Sequence, residues 1–283
     1  MNMHSRPSVR IPAHTSFDTV QVTGVRHWNE HLFSFTAARP RSFRFRSGEF
    51  VMIGLPGEVV HGADVTTDGS PPRPVMRAYS IASPSYSDDL SFLSIKVPDG
   101  PLTARLQRVR PGDEIYLAKK PTGTLVADAL LPGKRLFLLS TGTGLAPFLS
   151  VARDPDIYDM FDQIVLVHGV RRVSDLAYRA ELEAKLSGDP LIGDAALMQF
   201  HYFPTVTREP FRNNGRIQDA LNSGRVFAPL IGGRTLDPDS DRVMMCGSSA
   251  MIRDLSEMLD FLGFEEGANS RPGSYVLERA FVG

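Results

Sequence analysis

The stretch RLFLLSTGTGLAPF, residues 135–148, runs from a continuous apolar segment into Thr141-Gly142-Thr143-Gly144 and then Leu145-Ala146-Pro147. An apolar run without alternation is the mark of a strand covered on both faces, as in a parallel sheet. The glycines that follow allow a tight turn and close backbone approach, and the helix they open offers free N–H groups and a positive dipole end to a pyrophosphate. The pattern is G-x-G-x-A-P and not the G-x-G-x-x-G of the dinucleotide fingerprint. Taken alone it reads equally as a tight strand-to-helix turn.

After Leu131-Pro132-Gly133 the same kind of run recurs in DQIVLVHGV, MQFHYFPTV and DRVMMCG, with helical segments between. Ser174 to Ser187 puts Tyr178, Leu182 and Leu186 on one stripe, and the segment from Met251 carries Ile252, Leu255, Met258, Leu259 and Leu262 before Gly263. Strand alternating with helix predicts an α/β parallel-sheet nucleotide-binding domain over residues 132–283. Residues 17–126 read differently, as short strands broken by turn residues, and predict an antiparallel β-barrel domain. Within it, PLTARLQRV spaces Leu102, Leu106 and Val109 as a short helix over 101–109. Pro56 to Pro74 is too polar and too rich in Gly and Pro for a strand and is expected as an exposed loop. Residues 1–16 are expected as a loose tail.

The chain of 283 residues balances 31 Lys and Arg against 32 Asp and Glu, a net charge of −1, so no overall field favours nucleic acid or a membrane surface. Cys246 is the only cysteine, which excludes an internal disulfide, a Cys-rich zinc site and a protein-borne iron–sulfur cluster. The seven histidines include no H-E-x-x-H motif, and no metal is expected. No signal-peptide core and no long uncharged apolar stretch is present, and a cytoplasmic protein is expected. Redox chemistry would need a bound cofactor.

Three further segments carry chemistry. Arg77-Ala78-Tyr79-Ser80 offers a cation, an aromatic ring on the same strand face and a hydroxyl, a set that serves a phosphate and a flat ring or simply packs a strand. Ile95-Lys96-Val97 followed by Gly100-Pro101-Leu102-Thr103 supplies another helix start. Two phosphate seats in two domains suggest two nucleotides. Cys246, in Met244-Met245-Cys246-Gly247-Ser248, has no His or Asp beside it in sequence, which leaves a cysteine-hydrolase reading weak and a small buried hydrophobe as the plain one.

RAYS, IKV-PDGPLT, PTGTLV, STGTGLAPF, HGVR, TRE with NGRI, MMCGS and YVLERAFVG occur in the order found in ferredoxin–NADP reductases, and the chain most resembles the bacterial ferredoxin/flavodoxin type from Phe17 to Gly283. The resemblance implies an FAD-binding β-barrel followed by an NADP-binding α/β domain. It implies that Arg77 holds the FAD pyrophosphate, that Tyr79 stacks on the isoalloxazine and that Ser80 bonds near flavin N5. Ala78, Lys96, Val97, Leu102 and Thr103 would line the flavin seat. Thr143 and Gly144 would meet the NADP pyrophosphate and nicotinamide side, and Arg171, Thr207, Arg208 and Arg216 would take the 2′-phosphate. Cys246 would lie beside the nicotinamide C4 and flavin N5, with Tyr79 and Ser80 as the other catalytic candidates. Ala280 and Phe281, near the end Ala280-Phe281-Val282-Gly283, would also touch cofactor; the plastid type ends instead in an aromatic that covers the flavin.

The activity so implied is electron transfer between NADPH and ferredoxin or flavodoxin, by hydride transfer to FAD and then through the flavin semiquinone. Alternatives are an NADPH-dependent flavin or quinone reductase and a flavin redox sensor without turnover. A monomer with an acidic carrier as partner is expected. Either Arg39, Arg41, Arg44 and Arg46, at alternate positions of strand-like segments, or the separate group Arg105, Arg108 and Arg110 would steer that carrier.

Overall fold

The computed structural model describes residues 8–57 and 73–279. They divide into two compact units, one of residues up to Phe45 together with Phe50–Thr122, the other Arg46–Glu49 with the residues from Gly123 on. Among the described residues, no helix is long and apolar enough to cross a membrane.

The first unit holds β1 (Phe17–His27), β2 (Leu32–Ala38), β3 (Phe50–Leu55), β4 (Val75–Ser80), β5 (Asp89–Ile95), the one-turn helix α1 (Thr103–Leu106) and β6 (Glu114–Ala118). The six strands pair in the order β4-β3-β6-β1-β2-β5, every pair antiparallel. The outer strands are drawn toward closure beyond β4, where the Ala82 N–H donates to the Ser91 carbonyl at 2.8 Å. The result is the expected antiparallel barrel, nearly closed. Its interior is aromatic and β-branched: Phe33, Phe35, Val51, Ile53, Phe92 and Ile115 are buried, and Leu102, just before α1, and Leu106 within it plug the same core. That helix is shorter than the expected span over 101–109.

Residues 8–16 are not the loose tail expected of them. The Val9 N–H donates to Asp113 at 2.7 Å, the Ile11 N–H to Glu114 at 2.9 Å, and the Tyr116 hydroxyl to the Pro12 carbonyl at 2.9 Å. These bonds lay the segment along β6. The loop expected over 56–74 leaves from Leu55 and returns at Val75, a directly paired couple; its residues 58–72 lie outside the described residues.

The run FRFRSG is not strand. β2 ends at Ala38 and β3 starts at Phe50, and the link between turns on itself because Arg39 organises it. Its guanidinium donates to the carbonyls of Phe43, Ser85 and Ser87 and lies over the Phe45 ring at 4.9 Å. Arg44 donates to the carbonyls of Arg41 and Phe43. Arg46 pairs with Glu49 at 3.0 Å and with Asp128 at 3.2 Å. Arg39, Arg41, Arg44 and Arg46 therefore do not present alternate charges on a common strand face. Arg39 organises its own loop, and Arg46 is neutralised by two carboxylates.

The second unit holds β7 (Arg135–Thr141), α2 (Leu145–Val151), α3 (Pro155–Met160), β8 (Gln163–Val170), α4 (Arg179–Glu183), α5 (Gly193–Gln199), β9 (Phe200–Val206), α6 (Ile217–Asn222), β10 (Asp241–Gly247), α7 (Ser249–Phe261) and β11 (Tyr275–Arg279). All pairings are parallel, in the order β11-β10-β7-β8-β9. Every residue of β8 and of β10 is buried, as an unbroken apolar run requires when helices cover both faces. A helix over Ser174–Ser187 does not form: Tyr178 is left-handed at φ 58° just before α4, and Lys185 and Leu186 are left-handed just after it, at 52° and 55°. Backbone in that region interrupts an α-helix on both sides. The helix expected from Met251 is present as α7, closed by Gly263 at φ 87°.

Candidate functional site

The order β11-β10-β7-β8-β9 means that the chain builds outward from β7 through β8 and β9, then crosses to the other side of β7 to lay down β10. Beyond the carboxyl ends of β7 and β10 is the topological switch point, where open α/β sheets bind ligands. Two loops meet there. Gly142–Gly144 forms a 3-10 turn leading into α2, and Gly247-Ser248 leads into α7. Contact at Gly144 is backbone on backbone, since a Cβ there would fall 2.1 Å from the Cys246 carbonyl oxygen, while a Cβ at Gly247 would fall 2.2 Å from the side-chain Oγ1 of Thr141. Only glycine permits that approach. The Ser248 N–H donates to Thr141 Oγ1 at 3.0 Å, tying the two loops together.

Cys246 is 2% exposed, between Ser140 of β7 and Glu278 of β11 in register. Burial, with the Glu278 carboxylate adding to it, pushes its thiol well above the usual range. Such a thiol stays protonated and is a poor nucleophile, in keeping with a positional role. Glu278 itself was not singled out by the sequence reading. Burial raises its carboxyl to about 7, opposed by hydrogen bonds from the Thr124 N–H at 2.6 Å and the Thr124 hydroxyl at 3.3 Å. A carboxyl in YVLER reads as a solvated strand charge. Its one sequence signal was a place in the last motif of the series.

The four residues named for the 2′-phosphate cluster at the ends of β8 and β9. Arg171 follows β8 directly, and the Arg208 N–H donates to its carbonyl at 2.9 Å, while the Thr207 N–H donates to the Val170 carbonyl at 3.1 Å. Both guanidinium groups are exposed, and neither makes a hydrogen bond or ion pair among the described residues. Arg216 opens α6 after Gly215, whose N–H donates to the Val206 carbonyl at 3.1 Å. Its guanidinium is 75% exposed and stands 3.8 Å from Asp254, a loose surface pair.

In the barrel unit, Arg77 lies on β4 opposite Ile53, exposed, with one hydrogen bond, to the Met76 carbonyl at 2.8 Å. The rest of its fork of donors is open to solvent, which suits a pyrophosphate. Tyr79, two positions along, is only 8% exposed; its ring meets Phe35 and Phe92 edge-on at 6.3 and 6.4 Å, and its hydroxyl bonds Ser94 at 3.3 Å. In this unit Tyr79 is thus largely a core residue with a polar tip. Ala78 pairs with Met52 and the half-buried Ser80 with Phe50; the Ser80 hydroxyl has no hydrogen bond among the described residues. Lys96 donates through Nζ to the Asn29 carbonyl at 2.7 Å, and Thr103 through Oγ1 to the Val97 carbonyl at 3.4 Å. Leu102 is buried under α1. An exposed Arg with free donors, an unpaired hydroxyl and a buried Tyr form a donor set that fits a flavin dinucleotide. Ala280 and Phe281 lie outside the described residues.

Comparison with known proteins places this geometry among relatives. Residues 138–257 match the family described as oxidoreductase NAD-binding domain. The chain is 51% identical over 272 residues to the flavodoxin/ferredoxin–NADP reductase of Rhodobacter capsulatus, covering 96% of each, and 51% identical over 265 residues to the ferredoxin–NADP reductase of Pseudomonas aeruginosa, covering 93% of this chain and 97% of that one. The crystal structure of a ferredoxin–NADP+ reductase from Neisseria gonorrhoeae with bound FAD and NADP superimposes with a TM-score of 0.80 at 30% identity, covering 95% of this chain and all of that one.

Proposed function

The chain belongs to the ferredoxin/flavodoxin–NADP reductase family, and on that premise we propose that it binds FAD in its barrel unit and NADPH in its α/β unit and passes electrons between NADPH and a ferredoxin or flavodoxin. FAD supplies the conversion between a two-electron hydride donor and one-electron carriers. The protein contributes binding, orientation and electrostatics. The observation that carries the reading is the pair of exposed, unpaired guanidinium groups of Arg171 and Arg208, fixed side by side through their backbones at the strand ends. A doubly charged phosphate is what such a pair recognises, and it is the group that separates NADPH from NADH.

The remaining residues take complementary tasks. Thr143 and Gly144 offer backbone at the switch point to the pyrophosphate, and Gly144, lying against the Cys246 carbonyl, makes that end of the sheet narrow. Cys246 presents an uncharged thiol and shapes the seat of the nicotinamide without bonding to it. Glu278, next to it, is a carboxyl able to hold or release a proton near neutral pH. Arg77 anchors the FAD pyrophosphate, Ser80 offers an unpaired hydroxyl to the flavin, and Tyr79 gives it a ring edge and hydroxyl. Lys96, Val97, Leu102 and Thr103 complete that seat.

Steady-state assays test the whole reading. NADPH oxidation coupled to reduction of ferredoxin or flavodoxin, with NADH far poorer, is the expected result. Turnover of free flavin or quinone but neither protein carrier would point to the small-acceptor reductase, and a bound flavin that NADPH fails to reduce would point to a sensor.

A further inference from the structure

One cluster of charged and aromatic side chains in the α/β unit has no part in the account above. Glu183, the last residue of α4, accepts from Arg179 Nε at 2.8 Å and from an Arg212 guanidinium nitrogen at 2.7 Å, and both donors meet the same oxygen, Oε1. The two guanidinium groups also lie over the Phe211 ring, 5.2 and 5.5 Å from its centre. Phe211 in turn packs against Val170, Leu176 and Val206, of which Val170 and Val206 end β8 and β9.

Phe211 and Arg212 belong to the segment 207–216 that follows β9 and carries Arg208 and Arg216. Main-chain contacts fix its two ends: Thr207 on Val170 at the start, and at the return the Val206 N–H on the Asn213 carbonyl at 3.0 Å. The turn between them is bonded largely to itself. The Phe211 N–H donates to Asn214 Oδ1 at 3.2 Å, and Asn214 Nδ2 donates to the Glu209 carbonyl at 2.8 Å. Such bonds keep a shape without giving it a place. The place comes from the Glu209 carboxylate, which accepts from the Val173 N–H, and from Phe211 with the two guanidinium groups that Glu183 gathers. Burial alone would raise the Glu183 carboxyl, but the hydrogen bond from Arg179 and the charge of Arg212 outweigh it and hold it below the usual carboxylate range. One ionised carboxylate therefore serves two cations and a ring. An isolated exposed ion pair does little, whereas charges that share an acceptor and an aromatic face act as a network.

We propose that Glu183 is a positioning residue for recognition of the 2′-phosphate: through Arg179 and Arg212 it seats Phe211, and so holds the segment 207–216 where Arg208 and Arg216 serve one phosphate. The proposal rests on the reading that these arginines take the 2′-phosphate. It runs against the plain electrostatics of the cluster. A carboxylate near a phosphate seat repels the ligand, so a Glu183 that acted by charge alone would give tighter NADP+ binding when removed. A Glu183 that acts by holding the segment gives weaker binding when removed, because a displaced guanidinium loses the geometry of a charge-assisted contact. The two accounts differ in sign.

The test compares Glu183→Ala, which removes the shared acceptor, with Glu183→Gln, which keeps an oxygen for both donors and loses the charge. Calorimetric titration of the FAD-loaded protein with NADP+, 2′-AMP and NAD+ reads the phosphate seat apart from the rest of the dinucleotide. Expected in Glu183→Ala is a roughly tenfold weaker affinity for NADP+ and for 2′-AMP, NAD+ unchanged, with most of the loss recovered in Glu183→Gln. The KM for NADPH should rise likewise, with kcat and FAD content little altered. Phe211→Leu keeps the apolar packing and loses the ring, so it reads the same step through a second variant and should weaken NADP+ in the same direction. NADP+ binding that tightens or stays the same in Glu183→Ala overturns the proposal, and so does an equal loss for NADP+ and NAD+. Arg208→Ala separates the two readings. If it leaves NADP+ affinity intact, the 2′-phosphate is not taken here and both fall; if it weakens NADP+ while Glu183→Ala does not, the role of Glu183 alone falls.

Discussion

Cys246 and Glu278 stand directly opposite each other in the parallel pairing of β10 and β11, so a thiol and a carboxyl share one strand end. Desolvation raises both groups, and the Glu278 carboxylate adds to the rise at the Cys246 thiol. The pair is therefore uncharged, or nearly so, at the low end of the neutral range and gains its negative charge on Glu278 first.

That arrangement gives a signature in stability. The Glu278 carboxyl is raised from 4.5 to about 7, so the folded chain holds its proton more tightly than the unfolded chain does. The stability it contributes is complete below about pH 4.5 and is lost as pH rises through the folded value near 7. Glu278→Gln keeps an acceptor for the Thr124 N–H and cannot ionise. Urea denaturation should show the wild type losing roughly 3 kcal/mol more than the variant between about pH 4.5 and pH 8. Parallel pH profiles for the two proteins would contradict the assignment.

A thiol held protonated by burial should resist alkylation. In the folded protein at pH 8, iodoacetamide is expected to leave Cys246 unmodified, with full labelling after denaturation. Cys246→Ala should slow flavin reduction by NADPH by about 10- to 100-fold through misplacement of the reacting groups, with FAD content unchanged. Stoppage of turnover together with a trapped thiol adduct would show covalent catalysis instead.

The three arginines at the ends of β8 and β9 should not be equal. Arg171→Ala and Arg208→Ala each remove a free guanidinium, and NADPH affinity should fall by roughly 10- to 150-fold with little effect on NADH. Arg216→Ala should cost less, because that side chain is held by Asp254 at 3.8 Å and is mostly solvated. Ratios of kcat/KM for the two cofactors decide the matter, and equal losses with both would remove the clamp.

Gly144→Ala places a methyl group 2.1 Å from the Cys246 carbonyl, where only backbone can give way. The expected outcome is an overpacking cost of about 1–3 kcal/mol, with NADP+ binding impaired. Thermal unfolding and NADP+ titration measure both. An alanine that neither lowers Tm nor weakens NADP+ would mean the two loops are looser than their contact indicates.

For the barrel unit, Arg77→Ala removes the cation on β4 with open donors. Loss of a charge-assisted contact worth about 1.5–3 kcal/mol should let FAD dissociate during gel filtration from a protein that elutes as a folded species. Retention of stoichiometric FAD would remove Arg77 from the pyrophosphate.

The architecture could be read from the chain wherever burial on both faces left no polar positions, as in QIVLVHGV and DRVMMCG, because that pattern has one structural meaning. The turn at Gly142–Gly144 was readable for a similar reason: glycines after such a run have few uses. Other parts depended on contacts distant in sequence. The stripe through Tyr178, Leu182 and Leu186 is helical in spacing, yet three left-handed residues cut it to five, α4 alone. Arg39 looks like a surface charge until the carbonyls of Ser85 and Ser87 are found against it. Glu278 owes its raised proton affinity to burial and to Glu49, and its hydrogen bonds come from Thr124, 154 positions away. Such partners cannot be seen from spacing along one segment.

The strand order also bears on how the α/β unit comes into being during synthesis. β7 emerges from the ribosome early, but its neighbour on one side, β10, ends at Gly247. At about 5–20 residues per second, that neighbour arrives roughly 5–20 s later. For that interval one edge of β7 is unpaired, and Arg135 waits without Asp241, the carboxylate that it later meets at 2.6 Å in the interior. A nascent chain stalled before β10 thus exposes an apolar strand edge and an unmatched charge together, and the NADP seat, which needs Gly144 against Cys246, is among the last parts of the protein to exist.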